Sequence, residues 1–309
     1  MTRSVPLVGA LCLATVLVAC KGDKTPKSIA PHKPTSFDTT PIAIEDFSES
    51  AKTQRRVLYM PFGEAAERLG SLELEATSTI HVTSGQRDQE QTDTYKVRRD
   101  ASENVYVLLG TPVSEIEVAV VDRKVFIRQD KGHMRIADNH DFQAPSWPDI
   151  AWSSIPEALE PFRPRLKFTR GTAATTGGRD AIRYDVSLSA TDNGGRTIEQ
   201  MPTTSLPVGS PASWRERAQA KELTGSLWID KATATPLKLT LSGRLTVGEK
   251  DGRVTDVELK YDGEVKNVGR VAAVSAPKAI PELRIATPPS DPVSFFRDHL
   301  APLAPNEAP

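Results

Sequence analysis

Reactive side chains are few in this sequence: two cysteines, Cys12 and Cys20, and five histidines, His32, His81, His133, His140 and His299, spread over 309 residues. Cys20 has the most telling surroundings. It closes the run Leu17, Val18, Ala19, Cys20, behind the apolar stretch Val5 to Ala19 and the positive charge of Arg3. That stretch has the length of a signal-peptide core and is too short to span a bilayer comfortably. A small residue at Ala19 lets a peptidase grip the backbone closely. The Cys20 thiol can become a thioether to diacylglycerol, and cleavage before it frees an amine for a further acyl chain. Each buried methylene contributes about 0.8 kcal/mol, so two or three chains anchor stably where one is marginal.

The four residues resemble the bacterial lipobox: an aliphatic residue, a tolerant position, a small residue and an obligatory cysteine. The resemblance implies a lipoprotein precursor cut after Ala19. Covalent diacylglycerol and N-acyl lipid on Cys20 would tie the mature chain to a membrane, with no other cofactor. Cys12 is lost with the signal, so no thiol remains for a disulfide, a zinc site or a nucleophile. Lys21 stands where an inner-membrane retention signal of the enterobacterial type has Asp, which favours the outer membrane, facing the periplasm.

Other chemistry finds little support. A metal reading would use His133, Asp138, His140 and Asp141, but their spacing fits no familiar ligand motif, and the run reads as a polar loop. His81 falls on the wet side of a strand. No Gly-x-Ser-x-Gly elbow or strand-to-helix phosphate cradle occurs; Gly22 to Thr25 lies in a polar tether. The pairs Glu73 with Glu75 and Glu115 with Glu117 alternate with apolar residues, as the solvent side of strands does. No catalytic, metal or cofactor-binding residues are assigned, and an enzyme is not expected. A formal net charge of -1, with 26% charged residues of both signs, gives no basic stripe for nucleic acid.

The elements around these residues are mainly strands. Leu72, Leu74, Ala76, Ser78, Ile80 and Val82 alternate with Glu73, Glu75, Thr77, Thr79 and His81, which puts the two sets on opposite faces. Leu237 to Val247 and Val257 to Tyr261 repeat the pattern, and shorter runs occur at 95–97, 105–109, 116–120, 125–127, 166–168, 182–188 and 227–229. Gly177-Gly178, Asn193-Gly194-Gly195 and Asp251-Gly252 supply tight turns. Strands wet on one side indicate an antiparallel sheet. Helical signals cover Gly63 to Leu69 and, mid-chain, Ser154-Ile155-Pro156-Glu157, which reads as a capping box. Trp152, Ile155, Leu159 and Phe162 recur there at helical spacing.

Four segments follow: a signal peptide, 1–19; a disordered Pro-, Lys- and Thr-rich tether, 20–45; one antiparallel β domain, 46–285; and a Pro-rich tail with a short helix over 293–300, 286–309. Pro202 to Ala220 reads as an insertion loop. This arrangement, with the string Gly225-Ser226-Leu227-Trp228-Ile229-Asp230-Lys231-Ala232-Thr233-Ala234-Thr235-Pro236-Leu237, resembles the LolA, LolB and LppX-like group of envelope lipid carriers. The resemblance implies a half-barrel, mainly β with a few helices: a curved antiparallel sheet under a helical lid. Its concave face would hold a lipid or another protein's acyl anchor. Trp147, Trp152, Ile155, Leu159 and Phe162 have two readings, closing the core or lining a lipid cavity. The alternative to a carrier is a structural or partner-binding lipoprotein without a cavity.

Overall fold

The computed structural model describes residues 37, 40–85, 87–137, 146–190, 218–248 and 254–281. Two short helices, α1 (Ala51–Leu58) and α2 (Phe62–Leu69), precede the first strand. Six strands follow: β1 (Leu72–Ser84), β2 (Arg87–Arg99), β3 (Val105–Gly110), β4 (Glu115–Val121), β5 (Lys124–Gln129) and β6 (Arg135–Ala137). Helix α3 (Ser146–Leu159) runs into a 3-10 helix, Glu160–Arg165. The chain then forms β7 (Leu166–Thr176), β8 (Arg179–Leu188), β9 (Ala218–Asp230), β10 (Pro236–Gly248), β11 (Val254–Lys266) and β12 (Ile280–Pro281). Among the described residues, no helix is long and apolar enough to cross a membrane.

Among the described residues, the twelve strands belong to one sheet in the order β12-β6-β5-β4-β3-β2-β1-β11-β10-β9-β8-β7. Two runs of hairpins are thus joined where β1 pairs with β11, Ala76 opposite Gly263 and Val82 opposite Val257. Pairing is antiparallel except between β12 and β6. The sheet stays open, with β7 and β12 at its two edges. This is the half-barrel architecture expected from the sequence.

Period-two alternation sorts the side chains into rows across the strands. One inner row runs Tyr184, Leu227, Leu239, Gly263, Ala76, Tyr95, Leu109 and Ile116. The next runs Val265, Leu74, Val97, Val107, Val118 and Ile127. A Cβ at Gly263 would stand 2.5 Å from the Tyr261 hydroxyl oxygen, so only glycine leaves room for that ring. The outer face carries the row Arg183, Trp228, Lys238, Glu264, Glu75 and Lys96. Lys238 meets Glu264 at 3.4 Å, Lys266 meets Glu75 at 3.0 Å and Lys96 meets Glu73 at 2.9 Å. The carboxylate pairs of the sequence therefore lie on the outer side of strands, where Glu73 and Glu117 are largely covered by their ion pairs and neighbours. Glu117 likewise pairs with Arg128.

Strands β2 and β9 extend well beyond the short runs the alternation marked. In β2, Gln89, Gln91 and Asp93 share the inner face, opposite Val82, Ile80 and Ser78. Polar residues turned inward erase the hydrophobic period there. The mid-chain capping box is also corrected. Helix α3 begins eight residues before Ser154, which lies inside it and donates to the Ala151 carbonyl at 2.7 Å. The apolar turn ahead of Ser154, containing Trp147, Ile150 and Ala151, is buried, and that packing outweighs the local capping signal and the cost of Pro156 within the helix.

Outside β3 to β6 lies a second, smaller cluster of Ala119, Val121, Phe126 and Val274, with Tyr106, Met134, Ile136 and Ala279 packed against it. The segment after β11 therefore straps the outer face of this end of the sheet. Asp100, at the β2–β3 turn, fixes the strap by accepting from Val274 N at 2.8 Å while also accepting from Ser102 N and Asn104 N. Burial would raise this carboxyl, but the backbone and Asn104 amide donors hold it below its ordinary value.

Candidate binding face and its helical cover

The inner face is covered by α3 and the 3-10 helix that follows it. Trp147, Trp152, Ile155, Leu159 and Phe162 all belong to the main core cluster, none more than 3% exposed. The structure thus brings together the four residues that the helical spacing marked, with Trp147 beside them. Phe162 reaches deepest. A Cβ at Gly243 of β10 would stand 2.3 Å from its Cζ, so the missing side chain is the seat of the ring. Ser154 lies 2.9 Å from the Tyr261 hydroxyl of β11, a buried polar link between cover and sheet. Burial pushes the Tyr261 phenol well above its usual value.

Helices α1 and α2 join this cover through one short stretch, Tyr59 to Phe62. Trp152 Nε1 donates to the Met60 carbonyl at 2.8 Å. Asp149 accepts from Phe62 N at 2.8 Å. Tyr59 donates to Glu160 and accepts from Arg163 at 2.9 Å. The residue before α2 is Pro61, which gives no side-chain cap; Asp149 supplies the missing acceptor from another helix. Four bonds to α3 and the 3-10 helix therefore converge on three residues, Tyr59, Met60 and Phe62, and the helices are stapled into one unit. Toward the β7 edge, the Phe47 ring packs on Phe168 and Tyr184 at centroid distances of 5.0 and 4.7 Å. Tyr184 donates to the Ile44 carbonyl at 2.6 Å, anchoring the segment that leads into α1.

Asp149, Tyr59, Met60 and Phe47 were not singled out from the sequence. The signal for Asp149 was present: an acid in the first turn of an apolar helix, next to Pro148. Helix α1 had no apolar period to reveal it, since only Val57 and Leu58 of its residues are buried.

Burial raises the Asp149 carboxyl above its ordinary value, and the Phe62 N–H offsets part of this. A raised folded value means that the native state favours the protonated form, so ionisation costs stability as pH rises through it. Asp149→Asn keeps an oxygen acceptor without the charge. It should raise the melting temperature at pH 7, with the gain disappearing near pH 4. Asp149→Ala removes the acceptor and should lower stability by about 1 kcal/mol. Thermal unfolding of the three proteins across that pH range measures both effects.

The remaining chemical candidates separate. Cys20, His32, Asp138, His140, Asp141 and His299 lie outside the described residues. The expected turns at Asn193 and Asp251, most of the Pro202 to Ala220 insertion, and the helix over 293–300 do too; Ala218 to Ala220 begin β9. His133 is exposed in the connection between β5 and β6. His81 sits on the outer face, its Nε2 against Asp88 and its Nδ1 3.9 Å from Glu258. The bond to Asp88 raises the imidazole above its ordinary value. Any stability from this pair is fully present below the unfolded value of about 6.5 and is lost as pH rises through the folded one. An NMR titration should place His81 above 6.5, and Asp88→Asn should bring it down toward that value.

No family profile matches the chain, and no curated protein matches it. Solved structures do. A DUF1329 family protein from Desulfovibrio piger is 10% identical over 68% of this chain and 91% of its own, at a TM-score of 0.21. MucB, solved in complex with MucA(peri), is 13% identical over 69% of this chain and 56% of its own, at 0.19. A LolA superfamily protein from Nitrosomonas europaea is 12% identical over 66% of this chain and 93% of its own, also at 0.19. At such scores neither ligand nor mechanism carries across from these proteins.

Proposed function

We propose that this chain is a lipoprotein of the bacterial cell envelope, lipidated at Cys20, that binds an apolar ligand on the inner face of its sheet. The ligand class is a lipid or the acyl anchor of another protein, and no catalytic step is involved. The observation that carries this reading is the nature of the cover: the apolar face is closed by a stapled helical unit rather than by a second sheet. Moving that unit bares a continuous apolar surface, which must then be covered by something else. Trp147, Trp152, Ile155, Leu159 and Phe162 hold the ligand's place when it is absent. Anchorage in the outer membrane, facing the periplasm, follows from the lipobox and Lys21.

The close seating of Phe162 over Gly243 favours a second reading, a partner-binding lipoprotein whose core stays closed. Native mass spectrometry of the unlipidated Cys20→Ser protein, purified from a bacterial envelope, separates the two. Co-purifying lipid is the expected result. A protein that is always ligand-free, and that crosslinks to one protein partner, supports the second reading instead. Radiolabelled fatty acid should enter the wild-type precursor and not Cys20→Ser.

A further inference from the structure

The two ends of the strands differ in how the chain reaches them. One rim carries the start of β1, the β7–β8 turn at Gly177 and Gly178, the β9–β10 turn over 231–235, and Asn267 to Arg270 after β11. Backbone bonds knit this rim together, Lys231 N to Asp180 O at 3.0 Å and Gly269 N to Ser71 O at 2.7 Å. The other rim carries the β1–β2 turn at Gly85 and the ends of β10 and β11 at Gly248 and Val254. At about 3.4 Å per residue, a strand as long as β1 separates the rims by roughly 44 Å.

The N-terminal segment joins the body at the first rim. Arg68, at the end of α2, donates to the Thr40 carbonyl at 3.0 Å and to the Thr233 carbonyl of the β9–β10 turn at 3.2 Å. The Phe37 ring lies against Gly63 of the same helix, where a Cβ would stand 2.4 Å from its Cζ. The sixteen residues 21–36 separate Cys20 from this contact. Covalent geometry limits the reach of sixteen residues to about 55 Å.

On the premise of the lipid anchor proposed above, we infer that the rim of Gly177, Lys231 and Arg270 faces the lipid surface, and the rim of Gly85 and Val254 points away. At the first rim, where Phe37 and Thr40 meet α2, the chain is already at the bilayer side. Bringing the second to the bilayer requires the tether to stretch by the length of the body, close to its full reach. Four lysines, Lys21, Lys24, Lys27 and Lys33, against one acid, Asp23, also draw the tether onto anionic headgroups. The rim that faces outward is therefore the one another soluble protein can approach.

Vesicles of phosphatidylcholine and phosphatidylglycerol, carrying a lipid with a photoreactive diazirine on its headgroup, test this. One arm uses the lipoprotein processed in the cell. A second couples the Cys20 thiol of the chain from residue 20 onward to a maleimide lipid; the described packing lies wholly within residues 37–281. After illumination, mass spectrometry should find crosslinks at 177–180, 231–235 and 267–270 at least fivefold above those at Gly85 and Val254. Equal yields at the two rims, or an excess at Gly85 and Val254, in the coupled arm overturn the inference. Absence of lipid on the cell-processed protein overturns the anchor reading alone, because the coupled arm still reports orientation.

Discussion

Replacing Asp230 with alanine should lower the free energy of unfolding by about 2 to 3 kcal/mol, read as a fall in the urea midpoint at an unchanged slope. Asp230 ends β9 and is 1% exposed. Its carboxylate takes the backbone N–H of Ala232 at 3.0 Å and of Thr233 at 2.7 Å, the Thr233 hydroxyl at 2.8 Å, and both Nε and Nη2 of Arg179. One side chain thus satisfies a whole turn, in which Ala234 holds a left-handed φ of 59°. Alanine leaves those donors without their shared acceptor; Ala232 is exposed and Thr233 and Arg179 are half-buried, so water replaces part of what is lost. Asparagine retains one acceptor and loses the ion pair, so its cost falls in between. Burial would raise the Asp230 carboxyl, but the Arg179 and Thr233 donors hold it below its ordinary value. Its stabilisation is therefore present above the unfolded value of about 3.9 and is lost as pH falls through the folded one. The alanine variant should show a shallower loss of stability in acid.

Phe162→Ala should cost about 3 to 5 kcal/mol, or about 10 °C in melting temperature for a domain of this size. The ring is fully buried, and removing it leaves a hole above Gly243 that no neighbouring Cβ can fill. The same variant discriminates between the two functional readings. If the cover holds a ligand's place, the variant should retain more co-purified lipid than the wild type while melting lower without it. If the core is permanently closed, stability falls and no lipid appears. Gly243→Ala approaches the site from below: its methyl group meets the ring and should destabilise by about 1 to 3 kcal/mol.

The strands most legible from sequence were those whose inner residues are uniformly apolar. Leu237 to Val247 alternate cleanly because each inner position of β10 meets an apolar neighbour or the cover. The string from Gly225 to Leu237 that carries the resemblance spans the end of β9, the turn after Asp230 and the start of β10. The first half of β2 was hidden, because Gln89, Gln91 and Asp93 face inward, where periodicity expects aliphatic residues. Helix α1 was hidden for a different reason: Lys52, Gln54, Arg55 and Arg56 surround only two buried residues, and Phe47 rather than the helix makes the deeper contact. The aromatic set of α3 was found through its spacing, yet the start of that helix was misplaced, since Ser154 bonds to Tyr261 across the core and does not cap. The staple at Tyr59 to Phe62 could not be read from spacing at all. It depends on residues from separate helices meeting at three backbone or hydroxyl groups, a coincidence that exists only in the folded chain.

The strap over β3 to β6 also bears on synthesis. Val274 and Ala279 leave the ribosome long after Phe126 and Val121, so the outside of those strands stays wet until that later segment has been made. Strand β1 meanwhile waits for β11, whose Tyr261 lies opposite Ser78. Nascent chains halted before about residue 254 would carry an uncovered apolar patch together with an unmatched strand edge, the combination that recruits chaperones or aggregates.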